Sequence, residues 1–259
     1  MTRYSPFVLA AALAAACHSV APAPAPVAPP QATPPPAAAV MSQPSPTPAA
    51  SRLPEALRWV RDSAEHRALF LQVYRQATER VEREAAVRRA GAWAVVLDAD
   101  ETVLDNSPYE VERAEAGKPF TPASWRRWTQ RRAAQPLPGA AAFLARVHAL
   151  GGRIAIVTNR AERECPYTEA NFRADGLPFD VMLCQPAGSS GDKNPRFAAV
   201  ADGTTPAGLP PLAIVAFLGD NILDFPHLSQ AMTGQEDSSF AGFGREFFLF
   251  PNPMYGSWR

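Results

Sequence analysis

The sequence carries no excess of either charge: Lys plus Arg is 25 and Asp plus Glu is 25. A nucleic-acid polymer is gripped with a basic surplus, so no such partner is expected. Histidine is scarce, and His18, His66, His148 and His227 are too scattered to form a metal cluster. The apolar run at 7–16 is ten residues long, where a bilayer-spanning helix needs roughly 20. There is no internal repeat. Charge is absent altogether from position 4 to 51, and 11 of the 28 prolines fall between 22 and 48. A stretch so rich in Pro and Ala cannot build a packed core, which makes it a tether and not a domain.

What is present at the extreme N-terminus is Arg3, the apolar run and small residues up to Cys17. That is the pattern of a signal peptide over 1–16. Ala14-Ala15-Ala16 satisfies a simple cleavage site, so a soluble periplasmic or secreted protein is one outcome. Leu13 to Cys17 also resembles a bacterial lipobox, with the Leu one place further from the Cys than usual. A bare Cys17 leading into a Pro/Ala linker through 51, with a reach of about 90 Å, suits a lipid-anchored domain. His18 and not Asp follows the cysteine, so an outer-membrane lipoprotein is expected, touching the membrane through its anchor alone.

Residues 52–259 are a size that one domain fills. No Gly or Pro occurs from 55 to 88, and Leu57, Val60, Ala64, Leu71, Tyr74, Ala77 and Val81 follow helical spacing. This predicts one long amphipathic helix or two. Five short apolar runs follow, at 93–97, 154–157, 179–183, 214–218 and 247–250. Helical stretches separate them, at 139–150, 162–174, 195–202 and 224–232. Continuous apolar strands alternating with helices predict an α/β fold, a parallel sheet covered on both faces in three Rossmann-like layers. Cys165 and Cys184 form an even pair, either bridged or serving as two small buried hydrophobes.

In such sheets the working groups collect at the carboxyl ends of the strands. The first run leads into Asp98-Ala99-Asp100-Glu101-Thr102, the second into Thr158-Asn159-Arg160 and the fourth into Gly219-Asp220-Asn221, then Asp224. Lys193 precedes Asn194-Pro195, read as the N-cap and first residue of a helix. Carboxylates, one hydroxyl and one lysine in one crevice point to phosphoryl transfer through an aspartyl-phosphate. A dianionic phosphate repels a carboxylate nucleophile, so Mg²⁺ is expected between them. Lys193 and Thr158 would hold the transferring oxygens, and Asp100 would act as acid and base.

The ordered set resembles the haloacid dehalogenase (HAD) superfamily, and Asp-x-Asp-x-Thr its phosphatases. The segments 95–110 (VVLDADETVLDNSPYE), 117–122 (GKPFTP), 137–139 (LPG), 219–225 (GDNILDF) and 251–258 (PNPMYGSW) are similar to the bacterial class C acid phosphatases. Trp59, Ser63-Ala64-Glu65 and Ala68-Leu69 resemble that family's N-terminal helix. Many members are outer-membrane lipoproteins described as 5′-nucleotidases. The resemblance implies Asp98 as nucleophile and Asp100 as acid/base with its backbone carbonyl on the metal. It further implies Asp220 as a metal ligand, Asp224 on metal-bound water, and Thr158 in place of a more usual Ser. Lys193 aligns through Lys193-Asn194-Pro195-Arg196, although an upstream Lys common in the family is absent. Residues 107–135 would form a small helical cap, with Trp125 and Tyr255 clamping a nucleotide base and Asn159 and Arg160 touching substrate. Trp128 reads as packing. Some members run on past Tyr-Gly-x-Trp with another aromatic, whereas this sequence closes at Arg259, so a looser nucleotide preference is expected. With the third strand beside the second, Cys165 and Cys184 would share one rim and form a disulfide.

The expected activity is therefore Mg-dependent hydrolysis of small phosphomonoesters, with 5′-nucleotides among them as the resemblance implies. The alternatives are a phosphotransferase using the same intermediate and a non-catalytic nucleotide-binding surface lipoprotein. A dimer is compatible with the sequence but not indicated by it.

Overall fold

The computed structural model describes residues 53–259. The signal peptide expected over 1–16, the lipidation site Cys17 and the linker to 51 lie outside the described residues. The Gly- and Pro-free stretch forms two helices, α1 (Glu55–Asp62) and α2 (Ala64–Ala85). They part at Ser63, which is extended and whose side chain caps α2 by accepting the His66 N–H. Phe70, Tyr74, Ala77 and Val81 make the buried stripe of α2, and the Tyr74 hydroxyl donates to the Thr102 carbonyl at 2.7 Å. The long helix is thus tied to the loop that carries the first motif.

The sheet contains β1 (Trp93–Leu97), β4 (Arg153–Ala161), β5 (Val181–Gln185), β6 (Ala213–Gly219) and β7 (Phe247–Leu249). A separate antiparallel ribbon pairs β2 (Leu104–Asp105) with β3 (Gln135–Pro136). The five-stranded sheet is parallel in the order β5-β4-β1-β6-β7, so β1 is central and all five of its residues are buried. Its side chains alternate between two cores, as a period of two requires. Val95 and Leu97 join the core with α2 and α5 (Ala140–Ala149); Ala94 and Val96 join the other with α7 (Asn194–Asp202). This is the expected three-layer α/β architecture.

The β2–β3 ribbon closes the base of an insert holding α3 (Ser107–Glu115) and α4 (Pro122–Arg131), close to the expected cap. Thr121 and Ser124 form a capping box around Pro122 at the start of α4. The Tyr109 and Ser124 hydroxyls meet at 2.8 Å and join the two cap helices.

Three local expectations are corrected. The stretch 224–232 contains no α-helix, only 3₁₀ turns at Ile222–Asp224 and Gln230–Gly234. Pro226 forces Phe225 into an extended conformation, and His227 turns to φ 60°. Asn194 is not the N-cap: Lys193 holds that position, and Asp192 Oδ1 accepts the Asn194 N–H at 2.9 Å. Thr158, Asn159 and Arg160 lie inside β4 and not beyond it, where the register with β5 shifts between Val157 and Ala161.

Cys165 opens α6 (Cys165–Ala174), Cys184 lies near the end of β5, and the two are bridged across a Cα separation of 6.0 Å. The bridge closes a loop with a sequence separation of 19. Replacing both cysteines by Ala is expected to lower stability by about 3 kcal/mol in urea titration. A second expectation concerns His66, buried between Trp59 and Phe70 at ring distances of 5.5 and 4.6 Å. Burial holds its imidazole below the ordinary value of 6.5, against a weaker opposing pull from Asp105. The unfolded chain then binds the proton first, so stability should be full above pH 6.5 and fall as the pH drops toward the folded value. His66→Leu should flatten that part of the stability–pH curve.

Candidate active site

β1, β4 and β6 lie side by side, and the segments at their carboxyl ends converge. The loop after β1 curls so tightly that the Ala99 carbonyl accepts both the Val103 and Leu104 N–H, at 3.0 and 2.8 Å. The curl sets Glu101 at φ 49°, which costs a non-glycine residue about 1 kcal/mol. Its buried carboxylate offsets this by accepting the Asn106 N–H at 2.9 Å. The same curl brings Asp100 back, and its N–H donates to Asp98 Oδ2 at 3.1 Å.

Lys193 forms the floor. Its Nζ donates to Asp98 Oδ1 at 2.5 Å and to Asp224 Oδ1 at 2.6 Å, and all three residues are buried. Gly219 permits this approach, because a Cβ there would overlap the Asp224 side chain. Asp220 completes a trio: carboxylate oxygens of Asp98, Asp220 and Asp224 lie within 4.8 Å of one another. Asn252 Nδ2 steadies Asp220 Oδ2 at 2.8 Å.

One ammonium cannot neutralise three carboxylates. Burial, with the Asp224 and Asp98 charges, pushes the Asp220 carboxyl well above the usual range. Burial likewise pushes Asp98 up to about 7, against the pull of Lys193. Burial opposes the charge on Lys193, but Asp224 and Asp98 outweigh it and keep the side chain cationic. An all-oxygen cluster short of positive charge is the donor set that a divalent cation fits. The residues present therefore suit a metal.

The Asp100 carboxylate stands outside the trio. Arg160 Nη2 and Nε donate to its Oδ1 at 2.7 and 3.0 Å, and Asn106 Nδ2 at 2.8 Å. Asn106 Oδ1 in turn accepts the Trp128 indole N–H at 2.7 Å. Asp98, Asp100, Lys193, Asp220 and Asp224 face a cavity of about 590 Å³ that is also lined by Phe120, Trp125 and Tyr255. Trp128 is buried in the core, away from the lining of this cavity, as a packing residue would be. Trp125 packs edge-on against Tyr109 at 5.1 Å. Asn159 and Arg160 also line the cavity. Thr158 is fully buried, its Oγ1 accepting the Arg160 N–H at 3.1 Å, and it does not line the cavity.

The family model for the HAD superfamily, subfamily IIIB (acid phosphatase), matches residues 36–258. The chain belongs to this family. The phosphatase is also similar to the class C acid phosphatase from Bacillus anthracis, at 32% identity and a TM-score of 0.69, over 78% of this chain and 84% of that one. The tungstate-bound crystal structure of that Bacillus anthracis enzyme matches at 29% identity and a TM-score of 0.64, with the same coverage. The chain is thus a phosphomonoesterase acting on small phosphomonoesters, with a carboxylate cluster suited to a divalent metal.

Several site residues of the phosphatase were not singled out by sequence reasoning. Asn106 and Asn252 fall in segments quoted as motifs, yet an Asn beside Pro or Ser signals only a turn. Arg196 donates to the Thr158 carbonyl and to Asn159 Oδ1, both at 2.6 Å, and so braces the bulged part of β4. Glu110 lines the cavity from α3. The side chain of Arg160 is almost wholly buried and engaged with Asp100, Asn106 and Thr168. Arg160→Lys, which loses this planar fork, should therefore lower kcat by roughly a hundredfold with KM little changed. Steady-state kinetics on an aryl phosphate would check this: a raised KM at constant kcat would mark a substrate contact instead.

Proposed function

We propose that the phosphatase hydrolyses small phosphomonoesters, 5′-nucleotides among them, through an aspartyl-phosphate on Asp98. The observation that carries this reading is Lys193, held between Asp98 and Asp224 at the floor of a cavity with an aromatic wall. An Asp98 carboxylate oxygen attacks phosphorus as the ester P–O bond breaks, and Asp100 gives its proton to the leaving oxygen. Asp100 then takes a proton from water, whose oxygen attacks phosphorus. The bond to Asp98 breaks and inorganic phosphate leaves. Lys193 balances charge on the transferring oxygens, with Thr158 supporting the backbone beside them. Arg160 and Asn106 keep the Asp100 carboxyl aimed across the cavity.

Mg²⁺ bound by Asp98, Asp220 and Asp224, with the Asp100 backbone carbonyl, would supply charge screening between the phosphate and the nucleophile. The Bacillus anthracis relative binds tungstate, an oxyanion of phosphate-like charge, which is in keeping with recognition of a phosphoryl group in this family. Trp125 and Tyr255, which line the same cavity, are suited to stack on a planar base.

The test is phosphate release from 5′-AMP and a simple aryl phosphate, with and without Mg²⁺. Wild type should turn over both only with the metal, and Asp98→Asn should lose at least about a thousandfold. Trp125→Ala should lower the rate on 5′-AMP relative to the aryl ester. A folded Asp98→Asn enzyme that retains activity would overturn the mechanism.

A further inference from the structure

The cavity holds a carboxylate that the phosphoryl chemistry does not use. Glu110, on α3, lines it together with the aromatic side chains Phe120, Trp125 and Tyr255. Burial pushes the Glu110 carboxyl upward, with Arg259 and Arg113 pulling the other way through space. Neither arginine is bonded to it. Arg113 donates instead to the Pro119 carbonyl at 3.1 and 2.9 Å, and Arg259 lies over the Trp258 ring at 5.1 Å. Among the described residues the Glu110 carboxylate has no hydrogen-bond or ion-pair partner. A partly desolvated carboxylate without a paired cation is stabilised when a ligand brings a positive charge beside it.

Its neighbours narrow the ligand. Phe120 is 58% exposed, so an uncovered aromatic face stands at the same cavity. Aromatic faces attract cations, and a carboxylate beside them adds direct charge pairing. Five carboxylates line the cavity against three cationic side chains. The metal-suited trio and Lys193 account for the floor, and Arg160 neutralises Asp100. Of the remaining pair, Arg259 lies over the Trp258 ring and both it and Glu110 line the cavity without an ion pair between them.

We infer that Glu110 is a specificity-determining residue that favours phosphomonoesters whose leaving group carries a positive charge, such as an alkylammonium. The inference rests on the proposed assignment of the Asp98 floor to the phosphoryl group. Two esters of nearly equal shape test it with the full-length enzyme: phosphocholine and its neutral analogue 3,3-dimethylbutyl phosphate. The two differ in leaving-group acidity, so the quantity compared between enzymes is the ratio of their kcat/KM values. In Glu110→Gln this ratio should fall about tenfold relative to wild type, with the neutral ester changed by less than about twofold. Turnover of both esters with an unchanged ratio would overturn this inference alone, as would a fall of both esters in step. No turnover of either ester by a wild type that still hydrolyses 5′-AMP would overturn this inference alone, whereas loss of 5′-AMP turnover as well would overturn the phosphoryl-floor assignment and the inference with it.

Discussion

The buried ammonium of Lys193, shared between Asp98 and Asp224, is the interaction on which the site's geometry depends. Ions taken out of water cost several kcal/mol each unless they are paired and hydrogen-bonded. These three groups come from the end of β1, the segment before α7 and the turn after β6. Only a sheet with β1 next to β6, with Lys193 leaning over their carboxyl ends, lets them meet. Even then positive charge is short, since Asp220 joins the trio with one neutral amide, Asn252, as its nearest support. A site built this way is poised for a cation and an anion together, which is the demand of phosphoryl transfer.

A second network couples chemistry to architecture. Arg160 in β4 grips Asp100, Asn106 grips both Asp100 and the Trp128 indole, and Trp128 belongs to the cap helix α4. The carboxylate read as acid and base is therefore held by the sheet on one side and the cap on the other. Tyr74 of α2 reaches the same loop through the Thr102 carbonyl. The sheet, the cap and α2 thus converge on the eight residues from Asp98 to Asp105, and the strained backbone at Glu101 persists because its surroundings determine it from several directions.

Much of the fold was legible from local pattern. β1 was delimited to the residue because a strand buried on both faces reads as an unbroken apolar run ending at the first carboxylate. The α-helix expected over 224–232 failed because Pro226 and the left-handed His227 override helical spacing. The Thr158–Arg160 segment was placed beyond its strand, since a bulge leaves no mark on composition. Asp98, Asp220 and Asp224 were recognised from their order along the chain, and the structure brings them together.

The sequence by itself determined which residue types stand at the ends of the strands, because strand period, turn residues and motif spacing are written in adjacent positions. It also determined the class of chemistry, because carboxylates and one lysine in that order leave few other uses. Only the tertiary structure decided the pairings: Arg160 with Asp100 across 60 positions, Lys193 with Asp98 across 95, Asn252 with Asp220 across 32. Such partners are chosen by strand order and loop closure, which depend on the whole packed core and not on any local window. The same holds for Glu110, an ordinary helix residue in the sequence whose unpartnered place at the cavity wall arises only when α3 folds over the sheet.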